Sequence, residues 1–184
     1  MPLRPLSDTS AADWFVEADA DWWTKVCLGP PGYEAYARVY YDLDERMPDW
    51  YNHRLGSYVR DALGHHTSTP DECYFGQWIG SGWEPPIPPV ATIFAVTGVF
   101  DSGVVASVRD YHLYAGTLAD GAAWDTLEVD PPHLMWPADH AWFAAKDVDP
   151  DWIGVGGTQA LIDELLADAR LDVAPTTYDA TDWE

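Results

Sequence analysis

The sequence predicts an α+β fold: a single domain with a mostly antiparallel sheet of about five or six strands and a helix near each end. Three observations carry this expectation. Short runs rich in aromatic and β-branched residues recur through the middle of the chain, bounded by Gly- and Pro-rich turns. Helical spacing of apolar residues is strongest near the two ends. Strands and helices do not alternate regularly, which counts against a doubly wound parallel sheet.

Residues 1–10 are Pro-rich and polar and read as an extended lead-in. Ser10-Ala11-Ala12-Asp13 offers a helix start, and Trp14, Phe15, Ala18, Trp22 and Val26 follow at helical spacing, so the first helix is expected over 11–27. Gly29-Pro30-Pro31-Gly32 stops it. In Tyr33–Tyr41, Tyr33, Ala35, Ala37, Val39 and Tyr41 would share a strand face and Tyr36 and Tyr40 a helix face; the aromatic and β-branched content favours a strand. Residues 42–56 are mixed, with a break at Met47-Pro48, and Tyr58–Leu63 reads as a short helix ended by Gly64. Cys73–Ile79 reads as a strand, Pro85-Pro86-Ile87-Pro88-Pro89 as an extended loop, and Val90–Val96 as an apolar strand before a turn over Gly98–Gly103. Val104–Val108 and Tyr111–Tyr114 carry strand signals that one bulged strand would join. Leu118–Pro132 is acidic and turn-rich. Ala141–Lys146 and Trp152–Val155 are two further short strands. Thr158 caps a helix over Gln159–Ala169, whose Ala160, Leu161, Leu165 and Leu166 share a side. The domain is expected over 11–170, with 171–184 a loose acidic tail.

Charge is the most informative bulk property. Nine basic residues face 31 acidic ones, for a net charge of −22. Residues 1–60 hold 6 bases and 10 acids, and residues 61–184 hold 3 bases and 21 acids. Nucleic acid and anionic membrane surfaces are thereby excluded as expected ligands, because both need clustered Lys and Arg. A basic protein is the expected partner. Aromatic residues make up 14% of the chain, which separates it from disordered acidic tails. No apolar run is long enough to span a bilayer, and Met1-Pro2-Leu3-Arg4-Pro5 lacks the apolar stretch of a signal peptide, so a cytoplasmic location is expected. Two cysteines, Cys27 and Cys73, make no disulfide framework.

Candidate chemistry is sparse. Gly154-Val155-Gly156-Gly157-Thr158 precedes a helix but lacks the spacing and the lysine of a phosphate loop, and reads as a strand-to-helix turn capped by Thr158. His65, His66, Asp71 and Cys73 lack metal-ligand spacing and read as a polar helix exit. Cys73 sits between Glu72 and Tyr74-Phe75 and reads as a small core residue rather than a nucleophile. No catalytic residue, metal ligand or cofactor is assigned. The 11 tryptophans exceed what a core of this size needs. Trp83, in a Gly- and Pro-rich stretch, and Trp124, in the acidic turn with Asp120, Asp125, Glu128 and Asp130, are the expected partner-binding residues.

Three blocks also resemble a known family. They are Tyr33-Glu34-Ala35-Tyr36-Ala37-Arg38-Val39; Thr69-Pro70-Asp71-Glu72-Cys73-Tyr74-Phe75 with Trp78 and Gly80; and Pro132-His133-Leu134-Met135-Trp136-Pro137-Ala138-Asp139-His140-Ala141-Trp142-Phe143 running on to Asp149, Gly156-Gly157 and the last helix. In this order they resemble an uncharacterised family of acidic actinobacterial cytosolic proteins, over roughly 33–170. His140 stands where that family usually has Arg, and Val90–Val104 looks like an added piece. The resemblance implies a bacterial or phage origin and transfers no site residue.

The expected function is an acidic protein-binding module, most concretely a toxin-immunity or antitoxin-like inhibitor of a basic protein. The alternatives are a DNA-mimic type of inhibitor, an enzyme with an unrecognised site, and a structural domain whose acidity is proteome background. Nothing in the sequence sets the oligomeric state.

Overall fold

The computed structural model describes residues 2–42, 51–82, 84–100, 102–125 and 132–179. The segment expected as one helix over 11–27 is broken in two. After a turn of 3-10 helix at Ser10–Ala12, and with the two-residue strand β1 (Arg4–Pro5) before it, α1 covers only Asp13–Val16 and α2 covers Trp22–Leu28. Lys25 holds the break. Its buried side chain folds back and donates from Nζ to the carbonyls of Val16 at 2.9 Å and Ala18 at 3.2 Å, groups near the end of α1 that have no helical partner there. Asp21 then caps α2, accepting from the N–H groups of Trp23 and Thr24.

The chain continues as β2 (Ala35–Tyr40), α3 (Tyr51–His65), β3 (Cys73–Trp78), β4 (Phe94–Val99), β5 (Val105–Gly116), β6 (Leu134–Pro137), β7 (Phe143–Ala145), β8 (Trp152–Gly157), α4 (Gln159–Ala167) and β9 (Val173–Thr176). The fold is α+β, and every strand pairing is antiparallel. The sheet has nine strands, in the order β1-β5-β3-β6-β7-β8-β2-β9, with β4 also on β5. The expectation of five or six strands is an undercount, because three strands hide in segments without alternation. β1 lies in the stretch read as a lead-in, β9 in the stretch read as a loose tail, and β6 is buried along its whole length. The helix expected over 58–63 begins earlier, at Tyr51, and the Met47-Pro48 break lies outside the described residues.

Helices cover both faces of the sheet. On one face α3 and α4 bring Leu55, Val59, Leu63, Leu161 and Leu165 against Phe75, Trp124, Trp142 and Ile153. On the other, α1 and α2 bring Phe15, Val26 and Leu28 against Trp136, Phe143 and Trp152. This is why β6, β7 and β8 are buried on both sides. The approach is closest at Gly154, where a Cβ would sit 2.1 Å from the Cys27 carbonyl oxygen. α2 therefore rests on β8 only because Gly154 has no side chain.

Candidate protein-binding surface

Half of the eight described basic side chains are turned inward, while Arg4, Arg54 and Arg170 are exposed. Lys25, Arg38, Arg60 and Lys146 are buried. Lys146 donates from Nζ to the carbonyls of Asp147 at 2.5 Å and Pro150 at 2.7 Å. Arg60 makes a two-pronged pair with Asp125, with Nη1 to Oδ1 at 2.9 Å. Arg170 pairs with Asp168 and Asp61. Asp147 is the one buried acid among the described residues. The buried bases thus satisfy carbonyls and carboxylates, while every described acid except Asp147 keeps some exposure. The exposed charge is more lopsided than the formal count, and a lopsided field speeds encounter with an oppositely charged partner.

Ile79, Ile93, Val148 and Leu166 are exposed singly, but the four most exposed large apolar side chains lie together. β3 pairs with the Tyr111–Gly116 half of β5, and β4 pairs with the Val105–Tyr111 half on its opposite edge. The outer parts of β4 and β5 therefore form a two-stranded ribbon beyond the body of the sheet. At its tip Val99, Phe100, Val104 and Val105 are 71%, 48%, 55% and 64% exposed. Phe100 N–H donates to the Val104 carbonyl at 3.0 Å, and Gly103, at φ 76°, makes the turn that closes the ribbon.

The base of the ribbon is clamped. Arg109, on β5, donates from Nε and Nη2 to the two oxygens of Asp147 at 2.8 and 3.0 Å. Its guanidinium lies 4.2 Å from the Trp78 ring centre and 5.7 Å from that of Trp22. Trp22 in turn closes over Gly98 of β4, where a Cβ would meet its ring at 2.7 Å. Asp149, well exposed, lies 3.7 Å from Arg109, and Asp110 accepts from Ser107 Oγ at 2.5 Å. The base of the ribbon is thus fixed to the body of the protein, and its described outer part exposes Val99, Phe100, Val104 and Val105.

The residues singled out in the sequence fare differently. Trp83, Glu128 and Asp130 lie outside the described residues. Trp124 is fully buried, contrary to the exposure its acidic neighbours suggested: it packs on Phe75 and Tyr114 and donates from Nε1 to Gln77 at 2.9 Å. Asp120 closes a capping box with Thr117, and Asp125 is taken by Arg60. The structure thus occupies Asp120 and Asp125 with local contacts and does not gather them with Trp124 into one surface.

His65 and His66 grip the two oxygens of Glu164, Nδ1 and Nε2 each at 2.8 Å. Among the described residues no group of three or more His, Cys, Asp or Glu is placed to hold a metal ion. Cys73 is buried, and burial pushes its thiol up to about 12, far from a thiolate at neutral pH. Gly154 to Gly157 belong to β8, and Thr158 Oγ1 accepts from the Leu161 N–H at the start of α4. A signal for β4 was present in the sequence: residues 85–100, which contain it, have no charged side chain in an otherwise acidic chain.

Comparison with protein-family models, with curated proteins and with solved structures finds no match to this chain. Among the described residues no helix is long and apolar enough to cross a membrane.

Proposed function

We propose that this protein is an acidic protein-binding module that neutralises a basic protein partner, most concretely as a toxin-immunity or antitoxin-like inhibitor. One observation carries the reading. Four bases are buried while all but one of the described acids keep some exposure, and the four most exposed large apolar side chains, Val99, Phe100, Val104 and Val105, share one clamped ribbon. Long-range attraction then sets the encounter rate and the identity of the partner, and the apolar tip supplies area to bury once contact is made. A ribbon already fixed at its base costs little ordering on binding.

The test is co-expression with the product of each reading frame adjacent to its own in the source genome. A basic product whose toxicity is relieved by this chain supports the reading. Absence of any basic neighbouring product across several genomic contexts removes the immunity version.

A further inference from the structure

A sheet edge presents unpaired N–H and C=O groups, and proteins guard such edges with proline, charge, bulges or a covering segment. Four stretches of this sheet have an edge that no other strand pairs among the described residues. β1 is two residues long and contains Pro5. β9 contains Pro175 and follows Asp172. The outer half of β5 carries Arg109 and Asp110, and the jump in register from Val96–Arg109 to Thr97–Ser107 leaves Val108 as a bulge there. The fourth, β4, reads Phe94-Ala95-Val96-Thr97-Gly98-Val99 and has none of these devices.

Because the extra residue lies in β5, the outer edge of β4 is unbroken. The Phe100 N–H to Val104 bond sets its phase. Phe100 and Gly98 turn their backbone groups to β5, so Ala95, Thr97 and Val99 turn theirs outward. One face of β4 is covered by α1 and α2, which pack on Phe94 and Val96. The other presents Thr97 and Val99 to solvent.

We infer that β4 is the docking edge for an extended segment of a basic partner protein, which joins the sheet as an added strand. The inference rests on the proposed function for the sign of the partner's charge. A second copy of this chain is a poor occupant, because it brings −22 against −22. A segment that alternates apolar side chains with Lys or Arg fits both surfaces. Its backbone pairs with Ala95, Thr97 and Val99, and its apolar side chains meet the exposed face beside Thr97 and Val99. Its cations lie on the opposite side of the added strand, where the strong negative balance of the chain attracts them. Main-chain bonds supply the affinity, and alternate side chains supply the choice of partner.

The test uses the full chain and two short capped peptides of one composition, one alternating valine and lysine, the other a valine block followed by a lysine block. The alternating peptide should slow amide exchange at Ala95, Thr97 and Val99 by about tenfold or more, and the block peptide should not. Thr97→Pro, which removes the central donor, should abolish that protection at Ala95 and Val99. An alternating peptide N-methylated at every second backbone nitrogen should fail likewise, with the protein unaltered. Equal binding of both peptides at low salt without protection of β4 overturns strand addition and leaves the basic-partner reading standing. Failure of both peptides to bind at low salt overturns the two together. Concentration-dependent protection of β4 in the chain alone makes a second copy the occupant and overturns the inference.

Discussion

Asp147 and Arg109 join the ribbon to the body of the protein. The Asp147 carboxylate is 1% exposed and both its oxygens accept from Arg109, so its charge is compensated by one guanidinium. Asp147→Asn leaves that guanidinium only the exposed Asp149, at 3.7 Å, and breaking such a buried pair costs about 3 kcal/mol; urea denaturation of the variant should show a loss approaching this size. His133, beside the same cluster, accepts the Trp78 N–H on Nδ1, and burial lowers its pKa from 6.5 to about 4. The fold holds it neutral. As pH falls from 6.5 to about 4 the unfolded chain gains a proton that the folded chain refuses, so stability should fall across that window, by roughly 3 kcal/mol in all. His133→Gln, which keeps an acceptor for Trp78, should flatten the decline; an unchanged slope in the denaturant midpoints would show that another group sets it. Neither role was legible in the sequence, where Asp147 is one of 31 acids and its partner stands 38 residues away. Trp124 shows the same limit from the other side. Acidic neighbours in the chain suggested exposure, but the ring turns inward and those neighbours turn to Thr117 and Arg60.

Between elements, α3 and α4 are tied by His65 and His66 on Glu164. The hydrogen bonds from His65 and then His66 hold the Glu164 carboxyl below its ordinary value of 4.5. A depressed carboxyl contributes stability that is full above its unfolded value and lost as pH falls through the lower, folded one. Glu164→Gln should therefore be less stable than the parent at neutral pH, and the gap should close below about pH 4.5; a gap that stays constant into acid would mean that the histidines do not grip a carboxylate. Local pattern was legible at this scale where aromatic and β-branched residues cluster or apolar residues repeat at helical spacing. The strand expected over 33–41 and the bulged strand expected from 104 to 114 both formed, and the last helix formed as Gln159–Ala167. It was not legible where long-range contacts decide. Lys25 ends α1 by reaching its carbonyls from the next helix, and β9 is a strand because β2 offers it an edge, not because Val173-Ala174-Pro175-Thr176 favours one. The histidine pair was read as a polar helix exit, since nothing in the local sequence points to a carboxylate 98 residues on.

At the scale of the whole molecule, charge bears on stability and, on the proposed reading, on association. A chain of −22 whose buried groups include four bases and one acid repels itself across its surface. Screening should relieve this, so the thermal midpoint should rise between about 0.02 M and about 0.5 M NaCl, where the Debye length falls well below the size of the protein. A falling midpoint would mean that the buried ion pairs outweigh surface repulsion. The strong negative balance and the uncharged stretch at 85–100 were both visible in the sequence; the projection of that stretch as a ribbon was not, because it depends on β3 stopping at Trp78. The most direct measurement is capture of partners by the immobilised full chain from its source lysate, at about 0.05 M and about 0.5 M salt. One basic protein recovered stoichiometrically at low salt and released at high salt is the expected result, and its identity would supply the reaction or activity being neutralised. Recovery of no specific protein at either salt, or of an acidic partner indifferent to salt, would contradict the reading of this surface as a trap for a cationic protein.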